Sequence, residues 1–458
     1  MKKAVIATSI IVILAIGYTV ASWCTGNIIE NNIDAKVIQI TNEINQQQNL
    51  SKINIQYTNY HKGIFSTSFR LTVDAVNIEK DNTIIFDDIV TIYHGPFPWS
   101  EIKSADLSPK MAAFTYQTSK ESNQQLWLAA GNKPFVTLSA SIDYNENIKL
   151  VVNNEPINYT NEELDTNLQA TKNSLSISID NQFNNLAIKG EVNLLIFKNQ
   201  LNEFEINNLE MSSKIVKQLD SGYQIKGNLS IDKGSISQIQ PNNNDIKVNQ
   251  LSINIDAMAQ NKNITGDIST SVDSLFLGQQ NLGQGEMLVN YTLPISGDLT
   301  AGTNNHLAVR NWFIKLDKLL WQNQQGNFNA NFILNITDHN QTWPELDQDN
   351  LILAEANMHL PLNPMVYLVA QISNLDKEIP DDIDIESARQ SVILFSKILF
   401  KNSPIIDFNN EPNNDIKDGI VVDLYYSKDE NQARLKGKSI TTEQFWLALS
   451  QNKLPHFE

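Results

Sequence analysis

Six histidines (His61, His94, His306, His339, His359 and His456) are the side chains best placed by type to ligate a metal or to move a proton near neutral pH. No two of them fall at the spacing that sets paired ligands on one helix face, and no zinc signature built on paired His with Glu occurs. The sole cysteine, Cys24, excludes an intrachain disulfide. The acidic run Asp381-Asp382-Ile383-Asp384-Ile385-Glu386 lacks the sixth-position Gly and the distant bidentate Glu of a calcium loop. It is better explained as the start of a helix, where the dipole favours acids. Gly283-Gln284-Gly285 has no third glycine and lies in a tract of strand periodicity, which rules out a dinucleotide fingerprint. There is no Gly-x-Ser-x-Gly elbow and no phosphate loop. A glycosidase pair drawn from the 51 acidic residues is the enzymatic option left open. His61 and His94 meet only if their strands are neighbours, and a turn histidine satisfied by backbone is the plainer reading. The chain is therefore expected to be non-enzymatic, with no metal and no cofactor.

The elements that would position these residues begin with a membrane segment. Ala4 to Trp23 carries no charge and is rich in Ile, Val, Ala and Leu behind the basic pair Lys2 and Lys3. About 20 apolar residues cross a hydrocarbon core, the lysines keep the short N-terminus cytoplasmic, and Tyr18 and Trp23 suit the outer interface. Cleavage after Val20-Ala21-Ser22 is the rival reading; a lipoprotein needs a small residue before Cys24, where Trp23 stands. With 34 basic against 51 acidic residues the net charge is −17, which argues against nucleic acid and anionic headgroups as main partners.

Behind the anchor, Ile29, Ile33, Val37, Ile40 and Ile44 recur at helical spacing and predict a stalk helix. The period then changes to two. Ile53, Ile55 and Tyr57 alternate, as do Phe69, Leu71, Val73 and Ala75, followed by strands at 84–86 and 89–93. Two turn motifs punctuate this region: Tyr60-His61-Lys62-Gly63-Ile64-Phe65-Ser66, and His94-Gly95-Pro96-Phe97-Pro98, where proline must end the sheet pairing. Met111 to Ala130 is mixed, and Asn161 to Asn173 reads as an exposed helix or loop. From Leu175 to Leu293, alternating segments separated by turns predict an antiparallel meander with one apolar and one polar face. Strands at 328–336 and 354–360 continue it. Pro361 and Pro364 open a short helix through Ile372. A longer helix follows with Ile385, Ala388, Val392, Phe395 and Leu399 on one face, closed by Pro404. Strands at 420–426 and 433–438 and a helix capped by Thr441 and Gln444 finish the chain.

The order of anchor, stalk, Tyr60-to-Ser66 motif, strands and His94-to-Pro98 motif resembles the bacterial YdgA/YihF family. The late pair of strands closing on Leu435-Lys436-Gly437-Lys438 is similar too. Ile64 departs from the aromatic-rich version of the first motif. The resemblance implies an inner-membrane-anchored periplasmic protein without an assigned activity, N-terminus cytoplasmic. The motif residues it marks are Tyr60, Lys62, Gly63, Phe65, Ser66, His94, Gly95, Pro96, Phe97, Pro98, Gly437 and Lys438, all as turn chemistry.

The expected fold is mainly β with flanking helices (α+β): an extended antiparallel meander, a curved sheet or a sandwich, after one N-terminal transmembrane helix. Its parts are the tip and anchor (1–25), the stalk (26–50), an N-terminal β region (51–130), the meander (131–360), and helices with a C-terminal hairpin and capping helix (361–458). A one-sided sheet leaves an aliphatic surface that water disfavours by roughly 25 cal/mol per Å². The function this points to is binding or conveying lipid, with a layout similar to AsmA-like periplasmic proteins. An anchored scaffold recruiting envelope proteins comes second and a cell-wall glycan hydrolase third.

Overall fold

Alternating apolar and polar residues form strands over most of the chain, and the fold is mainly β with a few helices. In this computed structural model the described residues are 51–77, 82–103, 105–120, 124–161, 165–182, 184–218, 222–238, 245–260, 262–294, 310–338, 348–411 and 417–451. Ser22, 25–31, 33–35, 37–38, 41–42 and Asn45 are also described. The predicted membrane boundary (Lys2, Lys3, Tyr18, Trp23) lies outside them. Among the described residues no helix is long and apolar enough to cross a membrane.

The chain divides into two units, 1–160 with 168–191, and 161–167 with 192–458. The first holds β1 (Ser51–Lys62), β2 (Ser66–Asn77), β3 (Asn82–His94), α1 (Trp99–Lys103), β4 (Lys110–Gln117), α2 (Gln124–Ala129), β5 (Val136–Asp143) and β6 (Ile148–Asn154). β7 (Ile157–Asn161), β8 (Thr166–Ala170), β9 (Ser174–Ile179) and β10 (Asn185–Lys198) follow, and β7, β8 and β10 run across the boundary between the units. Antiparallel ladders join β1 through β6 in sequence, then β6 to β9 and β9 to β10. Residues 84–86 and 89–93 are one strand, because Asp87 and Asp88 stay in register opposite Thr72 and Leu71. Within 161–173, where a helix or loop was expected, β7 ends and β8 runs.

The second unit holds the predicted meander strands from residue 202 onward, while β5, β6 and β9, expected in the same meander, fall in the first unit. β11 (Asn202–Lys217), β12 (Tyr223–Gln238), β13 (Ile246–Gln260), β14 (Asn263–Leu277), β15 (Gln280–Pro294), β16 (Arg310–Asn323), β17 (Gly326–Asp338) and β18 (Leu351–Leu360) pair each with the next. After α3 (Leu362–Ser373) and α4 (Asp382–Phe400), β19 (Ile406–Asn409), β20 (Gly419–Ser427), β21 (Gln432–Leu435), β22 (Lys438–Ile440) and α5 (Thr442–Gln451) complete it. β20 pairs with β18 on one side, and with β19 and β21 on the other. The predicted strand 433–438 is broken by a turn, since Lys436 and Gly437 both have positive φ.

Closed cores form where helices cover these late strands. Tyr426, Phe445, Leu351, Ile336 and Leu435 make one, and the Tyr426 and Phe445 rings stack at 4.8 Å. Leu362, Val366 and Ala370 of α3 pack with Ala388 of α4 in the other. The acidic run is a capping box: Asp381 accepts from the Ile383 and Asp384 amides at 3.0 and 2.9 Å, and Asp384 accepts from the Asp381 amide at 3.0 Å. The predicted apolar face of α4 is covered for only part of its length. Phe395 and Leu399 are 62% and 59% exposed, because α3 has 12 residues against 19 in α4.

Candidate functional site

Two features could carry function: the turn that joins the two N-terminal motifs, and the aliphatic face of the meander. At the first, β3 delivers His94 into the interior, where it is fully buried. Its backbone amide donates to Phe65 O at 2.9 Å, which ties the two motifs together. Ring Nδ1 lies 2.9 Å from Ile64 O, and Nε2 lies 2.8 Å from the hydroxyl of buried Thr67. A carbonyl can only accept, so Nδ1 carries the proton and Nε2 accepts from Thr67. Burial pushes the imidazole below its ordinary value, and nearby Lys62 adds to that. Both ring nitrogens are thus engaged by turn partners. His61 is exposed and makes no part of this network.

The following residues lock the turn. The Gly95 amide donates to Met111 O at 2.7 Å and the Lys110 amide to Pro96 O at 2.8 Å, across a cis Gly95–Pro96 bond. A Cβ on Gly95 would stand 1.9 Å from Lys110 O, so no other residue fits. Pro98 is buried and its carbonyl caps the start of α1, while Phe97 is exposed. Gly63 closes the first motif by donating to Ser66 O at 2.8 Å. Tyr60 stacks on Phe69 with 6.1 Å between ring centroids.

Onto this turn sits the N-terminal helical segment. Ile29, Ile33 and Val37 are half-buried, as the stripe predicts; Ile40 and Ile44 lie outside the described residues. Polar contacts fix the position: Ser22 to Gly95 O, Lys62 to Asn27 and to Glu30 (2.5 Å), and Tyr57 to Asp34. Asn45 bonds both backbone groups of Ile53, at 2.8 and 2.7 Å. Gly26 packs directly on the imidazole, where a Cβ would stand 2.6 Å from His94 Cε1. Gly26 and Thr67 escaped the motif reading; the one signal was a glycine at the start of the predicted stalk, just ahead of the helical stripe. Gly437 and Lys438 form a separate hairpin turn in the second unit, with Lys438 opposite Leu435.

The second feature is built by register. Met211, Leu229, Ile253, Thr270, Met287, Leu319 and Ala330 are successive cross-strand partners from β11 to β17. Beside them run Leu209, Ile231, Leu251 and Val272, and on the other flank Ile255, Ile268, Val289, Leu316 and Phe332. The opposite face is polar: Asn228 bonds Asn254 at 2.7 Å, Lys226 pairs with Asp256 at 2.9 Å, and Thr265 meets Thr292 at 3.0 Å. Among the described hydrophobic residues of β11 to β14, only Ala257 is buried. Ile255, Ile236 and Ile246 are 36, 50 and 48% exposed. The closed cores lie at the β16–β22 end instead.

Among the described residues, no three His, Cys, Asp or Glu side chains come together as a metal site. His359 lies 2.9 Å from Asp418 O as another backbone-satisfied histidine, whereas His306, His339 and His456 lie outside the described residues.

Fold and site together define a class of β-rich protein with a long antiparallel meander and a buried His–Gly–Pro turn clamped under an N-terminal helix. The chain belongs to the family described as "Bacterial protein of unknown function (DUF945)", which matches residues 1–292. It is 26% identical over 302 residues to Protein YdgA of Escherichia coli (strain K12), covering 63% of this chain and 59% of that relative. It is 22% identical over 430 residues to the uncharacterized protein YihF of the same organism, covering 84% and 87%. An uncharacterized protein of Haemophilus influenzae is 31% identical over 121 residues, covering 26% and 32%. The chain thus spans less than two thirds of the length of YdgA. No solved structure matches. The resemblance read from the two motifs is confirmed at the level of the family.

Proposed function

We propose that this is a non-enzymatic protein of the cell envelope, held at the inner membrane by its N-terminal segment, with the body in the periplasm. Its one-sided sheet, curved so as to cradle a chain, binds or conveys lipid. The observation that carries the reading is the aliphatic row Met211–Leu229–Ile253 and its neighbours, half-buried at most beyond Ala257, backed by a face of Asn, Ser, Lys and Asp. Acyl chains suit such a surface because they need no directed polar partner. Each buried methylene contributes about 0.8 kcal/mol.

The test is uptake of a fluorescent fatty acid by delipidated protein, with native mass spectrometry for bound lipid. Replacing the cross-strand pair Leu229 and Ile253 by Asn should weaken uptake at least about tenfold, given roughly 1.5–3 kcal/mol for each large aliphatic side chain. No uptake, or uptake indifferent to this pair, would refute the proposal. The closed cores under α3, α4 and α5 favour a second reading, an anchored scaffold for envelope proteins. In-cell crosslinking that captures reproducible proteins and no lipid adducts would favour it.

A further inference from the structure

The last two turns of α4 combine three properties. First, Leu394, Phe395, Ile398 and Leu399 are 58, 62, 65 and 59% exposed. Second, α4 outruns its packing partner: the apolar core it shares with α3 engages Ile385, Ala388, Val392 and Ile393, and beyond them only Ser396, on another side of the helix from Leu394 and Ile398, is buried. Third, the local charge is opposite to that of the whole chain. Between Glu386 and Asp407 the sequence has no acidic residue but holds Arg389, Lys397 and Lys401, in a protein of net charge −17.

The spacing gives these properties one direction. Leu394, Lys397, Ile398 and Lys401 stand at i, i+3, i+4 and i+7, so they share a face of the helix. Phe395 and Leu399 flank it. Arg389 is engaged by Asn363 and Glu386, whereas Lys397 and Lys401 are exposed and form no ion pair among the described residues. The first acid beyond the helix, Asp407, is paired with Lys436 at 2.9 Å. Large apolar side chains interleaved with lysines, and no acid among them, suit the boundary between headgroups and acyl chains. There the rings and branched chains sink while the lysine stems reach back to phosphate.

We infer that the C-terminal end of α4 is a membrane-docking surface that seats Leu394, Phe395, Ile398 and Leu399 in an anionic bilayer, with Lys397 and Lys401 on its headgroups. The surface is separate from the meander face and does not rest on lipid binding there. It requires a bilayer within reach of the second unit, whatever holds the N-terminus. The whole-chain charge opposes such contact at long range; the acid-free stretch is where that opposition is locally reversed.

The experiment uses the full-length chain with Asn402→Cys in a Cys24→Ser background, Cys24 being the only native cysteine. An environment-sensitive dye on Cys-substituted position 402 is read against vesicles containing anionic phosphatidylglycerol, and against pure phosphatidylcholine, with lipid-borne quenchers in each. The dye reports its own contact with lipid, so attachment elsewhere on the chain does not mimic the signal. Quenching is expected in the anionic vesicles and weaker in the neutral ones. The double substitution Lys397→Gln/Lys401→Gln should lower the docked-to-undocked ratio about tenfold or more. Leu394→Ser/Ile398→Ser should do so to a similar extent. These side chains are exposed, so the variants are expected to fold, and unchanged circular dichroism verifies it. Absence of quenching in anionic vesicles overturns the inference, as does quenching that neither double substitution reduces. Dye burial that rises with protein concentration without lipid also overturns it, and assigns the patch to a second copy of the chain.

Discussion

Gly26→Ala tests whether the N-terminal helical segment is clamped onto the His94 turn. A Cβ at position 26 would lie 2.6 Å from His94 Cε1, 3.0 Å from Nδ1 and 3.4 Å from Nε2. Carbon atoms in ordinary contact stand ~3.5–4.0 Å apart, so the overlap is about 1 Å. The imidazole cannot retreat, because it is fully buried and held at 2.8 and 2.9 Å by Thr67 and Ile64. The helix must lift instead, which stretches the contacts of Lys62 with Asn27 and Glu30 and of Tyr57 with Asp34. Overpacking of this kind costs ~1–3 kcal/mol, and the gain of Ala over Gly in a helix returns about 1 kcal/mol. The net expectation is a loss of up to about 2 kcal/mol in the opening free energy of residues 25–31, measured by hydrogen exchange. A double-mutant cycle with His94→Ala isolates the clash. Once the ring is gone, Gly26→Ala should turn stabilising by about the propensity term alone. If Gly26→Ala protects the helix equally in both backgrounds, the ring is not what demands glycine.

Two further outcomes follow, one from the same turn and one from the core of the second unit. Burial holds His94 below its ordinary 6.5, so the unfolded chain takes up a proton that the folded chain resists. The stability of the first unit should therefore be complete above about pH 6.5 and fall as the pH drops below it, and His94→Gln should flatten that slope in urea titrations. Phe445 is 1% exposed between Tyr426 and Trp446, so Phe445→Ala should cost roughly 3–5 kcal/mol in the second unit, read from its urea midpoint.

What could be read in advance depended on whether a residue's neighbours were local. The meander was legible because each strand of 175–293 alternates by itself, and one-sided burial leaves that period intact. β7 and β8 were not, since Ile157-Asn158-Tyr159-Thr160-Asn161 and Thr166-Asn167-Leu168-Gln169-Ala170 are polar stretches that depend on neighbours rather than on their own pattern to be strands. β3 looked divided because Asp87 interrupts its apolar run. That acid is explained by partners on β2: Arg70 donates to it at 2.6 and 2.7 Å, and Thr72 opposite it at 3.3 Å. The same limit applies to the two candidate sites. His94 read as a turn histidine from Gly95 and Pro96 beside it, yet its partners Thr67 and Gly26 lie 27 and 68 positions away and carry no motif. On α4 the heptad-like spacing correctly marked Ile385, Ala388 and Val392 as a packed face. It carried no information on the partner α3, whose end the sequence placed separately at Ile372 against the observed Ser373. A partner of 12 residues spans about 18 Å and a helix of 19 about 28 Å, so roughly two turns of apolar surface are left over by length alone. A pattern within one element specifies which face is apolar, and only the lengths of two elements together decide how much of that face is free to meet something else.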